Sequence, residues 1–436
     1  LAALALAAPL RAQVPDARVP DTRVPDAPAF GLTADTTVLR LADLIGQAAS
    51  ASPALAARRA GADALATRAD QDGALPDPTV ALTAFPLPIL TARGAQIAQL
   101  RAEQMMPWPG TLDLRARQAD LASDAAYLDA ESAALDVALA VRLAYHRLYE
   151  MDRTRALIEV FSDRLDAFTD AAASRYEVGR GPQGAILQLN LQRERLRARL
   201  LMLDAERQAA LQSLARLTDR PGLVLARSVE VVAPPLVVDS TLIADALADR
   251  PLVRAARLAE ERAAVQSQLA RKAFYPDLGF GAVYSLVTSR DAPPTADGRD
   301  ALGLTVMARV PLQQGRLRAA AQEAEARRRE STARSQALRT EIATQIAELA
   351  YVAERRAQTV ALYRERLIPQ ADATVESLLA AYTTGQVDYL AFLDAERTRF
   401  DLLVAASEAA ARLLDAHARL DRALGTPLPT LISDLK

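Results

Sequence analysis

The chain holds two histidines, His146 and His417, and no cysteine. Imidazole and thiolate are the side chains that most often bind transition metals or serve as base and nucleophile. Here the two imidazoles fall in the middle of different helical patterns, and both are expected to be ordinary helix residues. No phosphate-cradling loop, dinucleotide fingerprint or nucleophile elbow occurs. Met105-Met106 invites soft-metal chemistry, yet it sits where a strand should end, and packing or an interface fits that position. Asp388 precedes an apolar-periodic run and is expected to cap a helix through its first backbone N–H groups. Asp394 lies past that cap, within "FLDAER", where a solvated acid would pair with Arg397 one turn on. Arg327-Arg328-Arg329-Glu330 is a charge cluster of the kind that usually solvates a helix face. Nothing here points to an enzyme, a cofactor or a bound metal.

The elements that carry these residues are mostly long helices. Alanine, leucine, arginine and glutamate dominate the 436 residues, while glycine and aromatics are scarce. A net charge of −2 excludes a basic nucleic-acid footprint. An apolar share of 51% excludes a disordered acidic chain. The opening "LAALALAAPLRAQ" reads as the end of a secretory signal cut after Ala12, and the absence of cysteine leaves no lipid-anchor site. "VPDARVPDTRVPDAP" follows, and its prolines make residues 13–37 an extended tether. No run of apolar residues is long enough for a membrane-spanning helix, so any crossing must use strands.

Landmarks recur in order about 200 residues apart, the mark of a tandem duplication. Ser52-Pro53 matches Arg250-Pro251, and Leu75–Pro78 ("LPDP") matches Tyr275–Leu278 ("YPDL"). "PWPG" (Pro107, Trp108, Pro109, Gly110) matches "PLQQG" (Pro311 to Gly315). "RYEVG", with Arg175, Tyr176 and Gly179, matches "AYTTG", with Tyr382 and Gly385. The expected repeats are 38–223 and 240–425, joined by a connector at 224–239 that packs as a strand, with a tail at 426–436. Each repeat opens on a helix, about Leu41–Asp70 and Pro251–Lys272. Two period-two segments follow. Leu302, Leu304, Val306, Ala308 and Val310 oppose Gly303, Thr305 and Arg309, and Leu278, Phe280, Ala282, Tyr284 and Leu286 oppose Asp277, Gly279, Gly281 and Ser285. Ala98, Leu100 and Ala102 oppose Gln99, Arg101 and Glu103, whereas Thr79–Phe85 alternates less regularly.

Rods of some sixty residues come next, about Thr111–Ala173 and Arg316–Tyr382, each on the order of 90–100 Å long. In the second, Leu338, Ile342, Ile346, Leu349, Ala353, Ala357 and Val360 form a seam with nearly straight-helix spacing. Gly179 and Gly385 suit the left-handed conformation that ends a helix. Helices then restart, about Ala185–Leu217 and Asp388–Leu424, so each Tyr-x-x-Gly marks the tip of a helical hairpin. Trp108 is expected to fix a change of direction between strand and helix, with Pro109 setting the first helical turn. Four two-faced strands cannot close a barrel alone, and an open edge cannot sit in lipid, so closure requires several copies in cyclic symmetry.

The ordered set "LPDP", "MPWPG" before a long helix, "RYEVGRGP", "YPDL" and "GQVDYLAFLDAER", carried twice, resembles the outer-membrane efflux protein family, the TolC-like exit ducts. The resemblance covers about residues 40–425. It implies a mainly α chain with a small β part: a homotrimer whose helical hairpins form an α-barrel and whose subunits each give four strands to one transmembrane β-barrel. It implies an outer-membrane protein reaching into the periplasm, where an adaptor grips the tips at Arg175, Tyr176, Gly179, Tyr382 and Gly385. An inner-membrane pump, of the resistance-nodulation-division type by the "GRGPQ" and "VDYLAFLDAER" segments, would drive drugs or metal ions through it. Protein secretion and a non-channel periplasmic coiled coil are the alternatives. In the resembled family acidic residues near the second tip ring the closed end of the tunnel. Asp394 falls on one such position and Ala391 on the other, which implies a single carboxylate ring at the gate. Phe280, Leu304 and Val306 would then face lipid, and Thr305 and Arg309 the lumen.

Overall fold

The computed structural model of the chain describes residues 41–179, 182–220, 240–289, 291, 295–384 and 386–425. The signal-like start, the tether, the connector 224–239, Gly385 and the tail 426–436 lie outside the described residues. The first repeat runs α1 (Leu41–Ala51), α2 (Pro53–Ala66), α3 (Arg68–Gly73), β1 (Thr79–Thr91), β2 (Gly94–Met106), α4 (Thr111–Glu177), α5 (Gln183–Leu217). The second runs α6 (Ser240–Asp249), α7 (Pro251–Lys272), β3 (Asp277–Thr288), β4 (Ala301–Arg309), α8 (Gln314–Leu362), a π-helical turn (Tyr363–Leu367), α9 (Ile368–Thr383), α10 (Tyr389–Leu424). Helices, a strand pair, a rod, a tip and a returning helix thus occur twice.

The prolines decide where the helices break. The single opening helix expected over Leu41–Asp70 is three: Pro53 has no N–H to bond back into α1, and a second break falls at Thr67. Ser52 instead caps α2, its Oγ accepting from the Leu55 N–H at 3.4 Å. Arg250 and Pro251 make the equivalent break between α6 and α7. The second rod is also not continuous. Pro369 cannot donate to the ladder, and the turn before it widens to π geometry. The matching stretch of α4 has no proline, and α4 runs unbroken for 67 residues. Ala357 of the expected seam is exposed, whereas Ile342, Ile346, Ala353 and Val360 are buried.

The four strands form one antiparallel sheet in the order β1-β2-β3-β4. Below it α2, α4, α7 and α8 pack side by side, and further along α5, α4, α10 and α8–α9 do the same. Among the described residues, each layer ends on a first-repeat element at one side (β1, α2, α5) and a second-repeat element at the other (β4, α8, α8–α9). Three apolar cores hold the rods. One joins α1, α2, α4 and α5 around Leu44, Val141 and Leu214. One joins α4, α5, α9 and α10 around Ile158, Leu189 and Phe392. One joins α6, α7, α8 and α10 around Val253, Ile346 and Leu420.

Candidate functional site

Register assigns every strand residue to a face. Leu304 pairs with Ala282, Ala282 with Ala102 and Ala102 with Val80, so even-numbered residues share one face over most of the sheet. That face is apolar and bare: Leu304 is 84% exposed, Val306 74% and Leu82 72%. The opposite face carries Gln99, Arg101, Glu103, Ser285, Thr305 and Arg309, with Arg101 paired to Glu103 at 3.2 Å. Phe280 and Thr305 fall on the faces expected of them. β1 runs past Phe85 to Thr91, and its register with β2 slips between Ala84 and Ile89. Pro86 and Pro88 lie in that slip, and an edge strand tolerates them because its outward N–H groups are not needed by β2.

The strand-to-helix joints differ from expectation. Trp108 stacks on Tyr275 at 4.9 Å and 15°, and its backbone N–H donates to Asp277 Oδ1 at 3.2 Å. Lys272 Nζ donates to the Pro109 carbonyl at 3.0 Å. The residues of "PWPG" and "YPDL" therefore meet, one repeat bracing the other. Pro109 does not open the helix, however. α4 begins at Thr111, and Gly110, with φ of 78°, makes the turn as its N-cap. In the second repeat Pro311 accepts from Gln314 Nε2 at 2.9 Å. Gly315 already lies in the first turn of α8, so it forms no joint of its own.

At the first tip Gly179 has φ of 70°, and its N–H donates to the Tyr176 carbonyl at 2.9 Å. Tyr176 and Val178 are exposed. Arg175 does not point away: its guanidinium carbon sits 4.4 Å from the centre of the Tyr382 ring. Tyr382 in turn packs on Tyr389 and Phe392, with Phe168 against both of the latter. The two motifs thus touch across the repeats. Burial raises the Tyr389 phenol above its ordinary range, and its hydroxyl has no partner among the described residues. Asp388 takes the N-cap position of α10, but its side chain makes no capping hydrogen bond, contrary to expectation. Asp394 is exposed in the second turn, and Arg397 pairs with Asp401 at 3.9 Å rather than with it.

Two buried polar contacts escaped the sequence. Glu396 is 3% exposed and meets Arg164 of α4 at 3.1 Å. His146 is as deeply buried, with Nδ1 2.9 Å from Asp415 Oδ1. Neither pair has a local signature, since the partners lie more than two hundred residues apart. One turn beyond His146, burial raises the Glu150 carboxyl, with Glu408 adding repulsion. Burial lowers His417 against a smaller opposing pull from Asp421. Among the described residues no group of three His, Asp or Glu side chains has the geometry of a metal site.

A bare apolar sheet face, open strand edges and rods of this length fit one architecture, and the family model for outer membrane efflux proteins matches the second repeat. The match spans residues 242–426. The resemblance read from the motifs spans both repeats, whereas the family match covers the second. The outer membrane protein VceC of Vibrio cholerae aligns with a TM-score of 0.72 at 21% identity, over 88% of this chain and 96% of that one. The outer-membrane channel OprN aligns at 0.74 and 18% identity, over 94% and 99%. CusC, described with transmembrane channel formation, aligns at 0.74 and 17% identity, over 92% and 96%. At such identities the likeness is one of fold. No curated protein sequence matches the chain. No helix among the described residues is long and apolar enough to cross a membrane.

Proposed function

We propose that the chain is the exit duct of a tripartite efflux system, a homotrimer that passively conducts solutes expelled by an inner-membrane pump through a periplasmic adaptor. The observation that carries this reading is the sheet: one bare apolar face, one polar face and two open edges. An open edge is not tolerated in lipid, so β4 of one copy must meet β1 of the next. The helical layers leave edges of the same kind, from opposite repeats. Three copies supply twelve strands, enough for a barrel with an aqueous bore. The rods then line a periplasmic tunnel, and the protein is exported by its N-terminal signal.

The tips form the adaptor-docking end in this reading. Arg175 and Tyr382 set the spacing of the two hairpins, while Tyr176 and Val178 offer the exposed contacts. Asp394, exposed and without an ion pair to any described residue, forms one carboxylate ring near that end. The cargo is a drug or a metal ion, and the pump is of the resistance-nodulation-division type. Purified protein is expected to run as a heat-modifiable trimer and to conduct in planar bilayers. A monomer without conductance would refute the duct. Asp394→Asn is expected to lower cation selectivity and weaken block by multivalent cations, and unchanged behaviour in assembled trimers would move Asp394 out of the lumen.

A further inference from the structure

The polar face of the sheet carries a feature that conduction alone does not use. Met105 is the register partner of Gly279, and Gly279 is the partner of Met307. One row across three strands therefore places a thioether on each side of a residue that has no side chain. Both side chains lean over it. A Cβ added to Gly279 would lie 2.6 Å from the Met105 sulfur and 3.2 Å from the Met307 Cε. Gly279 is buried beneath them, while its strand neighbours Leu278 and Phe280 are exposed. The two methionines are themselves only half-buried and stay reachable from that face. The chain has five methionines in 436 residues, and two of them share this row.

We propose that Met105 and Met307 form a binding site for a soft monovalent d10 cation, Cu(I) or Ag(I). Thioether sulfur is a polarisable, uncharged donor that favours such ions over magnesium, calcium or zinc. Each adjoining row holds one carboxylate: Glu103 is paired with Arg101, and Asp277 accepts from the Trp108 backbone N–H, so neither makes a strong claim for a hard ion. The surrounding face is mainly Gln, Arg, Ser and Thr, so two adjacent thioethers are out of place as ordinary lining. Binding exchanges water for sulfur on the ion. No bond in the protein breaks, and no proton leaves, because a thioether carries none. Three copies would set three such pairs at one height, at the helical end of the barrel. Neutral donors hold an ion loosely enough for it to move on, as conduction requires. Access to the pair from the bore rests on the duct reading; the pair itself lies within one chain.

The test is Ag(I) titration of the purified trimer by calorimetry, with X-ray absorption on the loaded protein. The absence of cysteine keeps thiol background at zero. Wild type is expected to take up about one silver ion per chain, with sulfur as the scatterer. Affinity should be flat between about pH 5 and 8, unlike a histidine or carboxylate site that competes with protons. Met105→Leu with Met307→Leu should abolish uptake, and Met202→Leu, at an exposed site on α5, should retain it. Leucine nearly conserves the volume of methionine, and heat-modifiable trimers confirm that each variant is assembled. Silver should also shield Met105 and Met307 from peroxide oxidation, read by mass spectrometry. Equal uptake in the double variant, or nitrogen and oxygen scatterers only, would overturn the site. Conductance of the same preparation separates the two claims: a silent bilayer refutes the duct, and absent silver refutes the site.

Discussion

Leu304→Arg probes the sheet where it is most sensitive. Leu304 is 84% exposed on the apolar face. Its partner Ala282 stands near the middle of β3, five residues from Asp277 and six from Thr288. In the proposed barrel this is the bilayer midplane, where a lipid-facing arginine costs about 2–4 kcal/mol. That cost converts to roughly a 30- to 700-fold loss in the folding equilibrium per chain. Thr305→Arg is the control. Thr305 shares the opposite face with Glu103 across Gly281, so the new guanidinium meets polar groups and water. The assay is urea-dependent folding of the trimer in lipid vesicles, read as the heat-modifiable band. Leu304→Arg should shift the midpoint sharply and Thr305→Arg little. The reverse order would show that the even-numbered face is not the one in lipid.

Gly179→Val forces a β-branched residue to φ of 70° and should cost about 1–2 kcal/mol although the site has open space, whereas Asn should be tolerated; the variant should assemble yet lose adaptor capture by surface plasmon resonance. Trp108→Ala removes the stack on Tyr275 and should lower stability by about 1–2 kcal/mol in a denaturant titration, with Trp108→Phe recovering most of it. Glu150→Gln tests linkage. A carboxyl whose folded pKa is raised contributes stability below its unfolded value and loses it as pH rises through the folded value. The variant should therefore melt higher than wild type at neutral pH, with the gap closing in acid, and a gap that widens in acid would reverse the assignment.

The repeat was legible because its punctuation is chemically specific. Proline at Pro53 and Pro251 and glycine at Gly179 mark breaks that few other residues impose, and they recur at matching places. Alternation over Leu278–Leu286 gave the strand faces, since a period of two admits only one assignment. Other features depend on neighbours that sequence does not bring together. Pro369 lay in plain view, but whether a proline kinks, widens or ends a helix is settled by the packing around it. The Arg175–Tyr382 contact and the Glu396–Arg164 pair join segments more than two hundred residues apart. β1 runs to Thr91 rather than Phe85, and its prolines are accommodated because it lies at the sheet edge, which is a matter of topology.

The two repeats sit side by side in every layer, and the edges they leave open are again one of each kind. This bears on how fast a ring can be assembled. In the proposed trimer there are six places where one repeat meets the next, and the chain itself spans three of them. A ring of half-length chains would need six of them, with a yield rising as roughly the sixth power of their concentration, whereas a ring of fused chains needs only three. Tethering also places each second repeat beside its first at an effective concentration on the order of millimolar. Carrying both repeats on one chain thus works as a kinetic device, halving the number of chains a closed ring must gather.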